Sequence, residues 1–289
     1  MGMDDKVVIT VALSGAVANR TQCPHIPYTP EEYGAEAKRS FEAGCTMVHI
    51  HAREPDGTPT QRVGAYKDIR DAILSEVPEM IINFSTGAVG IPVEERIGHI
   101  RDLKPDVGAL NMGSMNYAKY SPKRKDFVFK FVFSNHFDDI IAFLTAMNEA
   151  GVKPELECFD TGHINSAFPL VDMGVLNAPI HFSLILGVLG GAPPTARQLA
   201  YEASLVPNDG SDWEVIGVSR EQWMLVAAAC TLGGNVRVGF EDNFYLPDGD
   251  MATSNGELAA AAAQIARFTG REVAGADEAR ALMHLPARS

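Results

Sequence analysis

Eight short runs rich in β-branched and other apolar residues recur along this chain, at 7–13, 46–51, 80–84, 107–111, 155–159, 180–186, 214–218 and 236–240, with longer helical stretches between them. Strands that alternate with helices pair in parallel, because a parallel neighbour needs a long crossover and a helix supplies it. Eight such units predict an α/β chain folded as a closed (β/α)8 TIM barrel. No composition break or Pro/Ser-rich linker divides the sequence, so a single barrel domain over 1–289 is expected. The apolar run 127–133 fits no simple unit, and it is read as part of a small insertion around 115–135 or as an additional pairing strand.

Helix signals fall where the barrel needs them. Thr29 before Pro30-Glu31-Glu32 reads as an N-cap for a helix ending near Ala43, with Gly44 just beyond it. Further helices are expected over 92–103, over 137–150 with Gly151 as the stop, and over 220–232 with Ser219 as the cap. The Gly-rich turn 187–195 opens another, without Walker or Rossmann spacing.

In such a barrel, chemistry sits at the C-terminal ends of the strands and in the loops that follow. The second run ends Met47-Val48-His49-Ile50-His51-Ala52-Arg53. Strand side chains alternate, so His49, His51 and Arg53 share one face. Two adjacent imidazoles there either satisfy each other's surroundings by hydrogen bonds or share a divalent metal, which needs a third ligand from elsewhere. The eighth run ends Arg237-Val238-Gly239-Phe240-Glu241-Asp242. If it stays extended, Arg237, Gly239 and Glu241 share a face. Glu241 then either completes a two-histidine, one-carboxylate site or forms a structural ion pair with Arg237. Asp242 falls on the opposite face or in the turn, near enough to Arg237 to remain ionised and act as a base.

Two other strand ends offer polar groups. The turn Ser85-Thr86-Gly87 can hold a carboxylate with hydroxyls and backbone N–H groups, or is an ordinary βα turn. Asn111 can orient a carbonyl or carboxylate, or satisfy its own loop. The remaining histidines, His136, His163 and His181 among them, read as surface or packed residues.

Composition excludes several other classes. A formal net charge of −13 argues against nucleic acid as a partner. No apolar stretch reaches membrane-spanning length uninterrupted, and the N-terminus lacks a signal-peptide pattern, so a cytoplasmic protein is expected. Cys23, Cys45, Cys158 and Cys230 form no CxxC pair and read as reduced, buried residues.

Together, Ser14-Gly15-Ala16, the Pro27 to Glu32 segment, the His49/His51 strand, Ser85-Thr86-Gly87, Leu110-Asn111-Met112-Gly113-Ser114, Gly190-Gly191 and Arg237 to Asp242 resemble the β-keto acid cleavage enzyme family over nearly the whole chain. The resemblance implies a zinc-bearing barrel that exchanges acyl groups between a β-keto acid and acetyl-CoA, yielding acetoacetate and a new acyl-CoA, in a homotetramer. It implies His49, His51 and Glu241 as metal ligands, Ser85, Thr86 and Gly87 around the substrate carboxylate, and Arg237 with Asp242 as the catalytic pair. Two positions depart from the family's best-known member. Val17 replaces a glutamate that meets a substrate amino group, which implies a neutral or apolar distal group here, and Asn111 replaces a threonine. A metal-dependent hydrolase of the amidohydrolase type is the competing reading, because it also uses a His-x-His strand, with further ligands such as His163 or His181.

Overall fold

A computed structural model describes residues 5–287. Its elements run β1 (Ile9–Ala12), α1 (Pro30–Glu42), β2 (Met47–Ile50), α2 (Val63–Glu76), β3 (Ile81–Ser85), α3 (Val93–Leu103), β4 (Val107–Asn111), β5 (Met115–Ser121), β6 (Asp126–Phe133), α4 (Phe137–Ala150), β7 (Lys153–Cys158), α5 (Thr161–Asn165), α6 (Ala167–Asp172), β8 (His181–Leu186), α7 (Ala196–Ala203), β9 (Asp212–Gly217), α8 (Gln222–Leu232), β10 (Asn235–Val238), α9 (Asn255–Phe268) and α10 (Ala276–Leu282). Strands β1, β10, β9, β8, β7, β4, β3 and β2 pair in that order, all parallel, and close into a barrel. Each of the eight expected runs supplies one of these strands, with ends shifted by at most two residues and those of β4 not at all. The extra run pairs instead with the segment before it, as the antiparallel hairpin β5–β6 outside the barrel.

Outward strand residues such as Val48, Ile82, Phe84, Leu110, Phe182 and Val236 join the main apolar core beneath the helices. Inward residues divide by depth. Val8, Met47, Ile81 and Val107 form an apolar floor, plugged by Ala279 and Met283. Above it lies a polar layer in place of the bulky aliphatic residues usual in such barrels. There Thr10 donates to Glu214 (2.7 Å) and Ser183 to Glu155 (2.5 Å), Asn83 bonds Glu155, and His181 Nδ1 meets Asp212 at 2.5 Å.

Local signals explain some of the helix ends. Thr29 accepts from the Glu32 N–H while Glu32 accepts from the Thr29 N–H, a reciprocal cap that fixes the entry to α1. The expectation for Ser219 is corrected. It has a positive φ and opens a 3-10 turn, Ser219–Glu221, after which α8 starts without a side-chain cap. Helix α2 carries no side-chain cap bond and had no start signal to read, and its apolar face, Ala65, Tyr66, Ile69 and Ile73, is what holds it on the barrel.

Candidate functional site

His49 and His51 do project from β2 into the barrel mouth, with His49 fully buried and their rings 5.3 Å apart. Glu241 reaches them from the far end of β10, its oxygens 3.7 Å from His49 Nε2 and 3.5 Å from His51 Nε2. The route is not the extended one. Strand β10 stops at Val238, and Gly239 turns the chain at φ 128°, where a Cβ would stand 2.3 Å from the Ala12 carbonyl oxygen. Only glycine fits there. The turn brings both Glu241 and Asp242 back over Arg237, so the two carboxylates share its guanidinium rather than facing opposite ways.

Arg237 donates to Glu241 (2.8 Å), to both oxygens of Asp242 (3.0 and 3.1 Å) and to Glu157 (3.3 Å). Burial opposes its charge, but Asp242, Glu241 and Glu157 outweigh it and hold the guanidinium firmly protonated. Burial also works against a charged Glu241, and the Arg237 charge above all overcomes it, keeping the carboxyl well below its ordinary range. Asp242 is raised to about 6 by burial and by Glu241, with Arg237 restraining the rise. Such a carboxylate is ionised near neutrality and basic enough to take a proton.

The donor set fits a metal. Burial and Arg237 push His49 down to about 3, so its ring is neutral. Both His49 nitrogens and one Glu241 oxygen are buried without a hydrogen-bond partner. Buried polar atoms left unpaired are costly. Two imidazole nitrogens and a carboxylate oxygen, all within 4.8 Å of one another, are what a divalent ion takes up. His163 and His181 do not join this group: His163 Nδ1 accepts from the Phe159 N–H and His181 pairs with Asp212 in the layer below.

A cavity of about 380 Å³ opens on the cluster. Its polar half holds His51, Glu241, Arg237, Asp242, Ser85, Gly87 and Asn111. Ser85 accepts from the Gly87 N–H at 3.1 Å, which shapes the turn. The Thr86 side chain faces away from the cavity, contrary to the reading of that turn, and donates to the Ala109 carbonyl (2.6 Å). Val17 lines the rim and is 70% exposed. Arg53 is buried but serves the scaffold, donating to the carbonyls of Ser14, Gly15, Ala18 and Gly57. The other half is apolar: Phe159, Ile185, Val188, Ile216 and Val218 face Tyr117, Phe131 and Phe133 of the hairpin.

Glu157 was missed in the sequence. It lies on β7 beside Arg237, and burial, with Glu155 next, raises it to about 8. The alternation that singled out the histidine pair also puts Glu155 and Glu157 on one inward face.

Fold and site define a barrel enzyme with a two-histidine, one-carboxylate centre beside an arginine-held carboxylate. The model of the beta-keto acid cleavage enzyme family matches residues 6–285, and the chain belongs to that family. It is 39% identical to the 3-keto-5-aminohexanoate cleavage enzyme of Fusobacterium nucleatum, over 98% of this chain and 99% of that one. It is 30% identical to the 3-dehydrocarnitine:acetyl-CoA trimethylamine transferase of Rhizobium meliloti, over 100% and 99%. Among solved structures, apo ObcA superposes with a TM-score of 0.76 at 20% identity, covering 91% of this chain and 66% of that longer one, a likeness of fold.

Proposed function

We propose that the protein is a zinc-dependent enzyme that condenses a β-keto acid with acetyl-CoA to give acetoacetate and a new acyl-CoA. Family membership supports the reaction class, and acetyl-CoA is the partner named for the R. meliloti relative. The observation that carries the reading is the meeting, on one rim, of the unpartnered His49 and Glu241 atoms and the neighbouring His51 ring with Asp242 held by Arg237. His49, His51 and Glu241 would hold the metal, which when bound supplies Lewis-acid polarisation of the keto group.

The chain's own groups do the rest. Ser85, the Gly87 region and Asn111 hold the carboxylate end, so that the carbon between keto and carboxylate groups faces Asp242. Asp242 removes a proton from that carbon. The carbanion attacks the thioester carbonyl of acetyl-CoA and expels the CoA thiolate. The thiolate then adds to the original keto carbon, the bond between that carbon and its neighbour breaks, and Asp242 returns the proton to the released acetoacetate. Arg237 fixes Asp242 and Glu157 in place throughout. Val17 at the rim offers no counter-charge, which supports a keto acid with a neutral or apolar distal group. The reading extends to a single barrel domain, a cytoplasmic location and a homotetramer. Among the described residues no helix is long and apolar enough to cross a membrane.

Isotope tracing tests the reaction. With acetyl-CoA carrying 13C in both acetyl carbons, the label is expected at the keto and methyl carbons of acetoacetate, its other two carbons coming from the keto acid. Acetoacetate formed without acetyl-CoA, or without label, rules the condensation out.

A further inference from the structure

The hairpin β5–β6 carries a charge pattern unlike the rest of the chain. Lys119, Lys123, Arg124, Lys125 and Lys130 fall between Met115 and Phe133 with Asp126 as the only acid, in a chain whose formal net charge is −13. All five side chains are exposed, and among the described residues none of them forms an ion pair. A solvated cluster of like charge repels itself, so its placement calls for an anionic partner.

One face of the hairpin leads to the site. Tyr117 stacks on Phe131 (5.4 Å) and Phe129 (6.2 Å), and meets Phe133 and Phe159 edge-on at 5.9 and 6.3 Å. This aromatic face is continuous with Ile185, Val188 and Ile216, the apolar half of the cavity. Lys119 lies two residues beyond Tyr117, on the same face, opposite Phe129. Gly190 pins the hairpin there, because its α-carbon packs so closely on the Asn116 carbonyl that no side chain fits.

We propose that the hairpin is the acetyl-CoA site: Tyr117, Phe129 and Phe131 line the path of the pantetheine arm, and Lys119, Lys123, Arg124 and Lys125 hold the phosphates of the 3′-phospho-ADP end. This rests on the acyl-exchange reading. The metal cluster and the Ser85–Asn111 rim take the keto acid, which leaves β7, β8, β9 and the hairpin as the side from which a thioester approaches Asp242. The lengths agree. About thirteen bonds separate the thioester sulfur from the first phosphorus, the span of four to five extended residues or roughly 15 Å. Along the hairpin, Lys119 stands roughly 13 Å from the base at Met115, and the tip residues stand farther out, at about 3.3 Å per residue.

The test uses the metal-loaded full chain and its Lys119→Ala/Lys123→Ala/Arg124→Ala/Lys125→Ala variant, with acetyl-CoA and with the phosphate-free S-acetyl-N-acetylcysteamine as alternative acetyl donors. The ratio of kcat/KM for acetyl-CoA to that for the phosphate-free thioester is expected to fall roughly ten- to hundredfold, four exposed charge contacts being lost. The loss should lie in the KM for acetyl-CoA, leave the KM for the keto acid in place, and shrink with added salt. Calorimetric titration with CoA should weaken in parallel, a readout free of turnover. An unchanged ratio and CoA affinity overturns the assignment, as does a changed oligomeric mass with unchanged KM, which would make the tip a contact between copies. Absence of acetoacetate from wild-type protein with any keto acid would defeat the reaction instead, and calorimetry still reports separately whether the hairpin binds CoA.

Discussion

At the scale of single residues, the site is a set of charges held apart from water and balanced against one another. Arg237 is fully buried, and three carboxylates surround it. Removing either histidine leaves Glu241 near that arginine but takes away a nitrogen donor. His49→Ala is therefore expected to bind less than one-tenth of the wild-type metal and to lose turnover with it, checked by metal analysis beside an acetoacetate assay; full activity in metal-free variant protein would contradict the site. Val17 makes a different prediction, since it is exposed at the rim and free of packing duties. Val17→Glu should improve kcat/KM for an amino-bearing keto acid over an apolar one by roughly fivefold or more, the worth of one partly exposed ion pair. The histidine pair and Arg237 were legible as residues because strand alternation is local. That Asp242 turns back onto Arg237 was not, because it depends on Gly239 approaching Ala12, more than two hundred residues earlier in the chain.

At the scale of elements, the strands position the chemistry and the loops give it shape. The eight barrel strands were readable because each needs a short apolar run, and the reciprocal cap at Thr29 was readable because capping is a local hydrogen-bond exchange. The hairpin could be seen only as an anomaly, a run fitting no βα unit. What fixes it is contact with the loop after β8, where Ala118 bonds Leu189 (3.3 Å) and Gly190 lies at φ 110°. Gly190→Ala would force a left-handed backbone on alanine and push the hairpin off its seat. The expected cost is about 1–3 kcal/mol in urea unfolding, together with a raised KM for acetyl-CoA. Wild-type stability and KM would show that the hairpin is seated by other contacts.

At the scale of the whole molecule, the polar layer inside the barrel makes stability depend on pH. Burial alone would lower His181, but Asp212, then Glu214 and Glu155, outweigh it and raise the imidazolium to about 9 from an ordinary 6.5. Burial and the Glu155 charge raise Glu214 to about 7 from 4.5. Both folded values lie above the unfolded ones, so both contributions are fully present below the unfolded pKa and fade as pH rises through the folded one. The His181 shift corresponds to on the order of 3 kcal/mol. The thermal midpoint is expected to fall between pH 6.5 and 9.5, and His181→Asn should flatten that slope; a midpoint steady across the range would mean the layer does not titrate with folding.

The sequence by itself determined the barrel, the rim on which chemistry sits, the histidine pair and the family, because strand rhythm, alternation and motif order are properties of neighbouring residues. Only the tertiary structure decided that Glu241 and Asp242 share Arg237, that Glu157 joins them, that Thr86 turns away and that half the mouth is apolar. Those facts depend on which distant strands become neighbours when the barrel closes, and on how near one backbone can pass to another at Gly239 and Gly190.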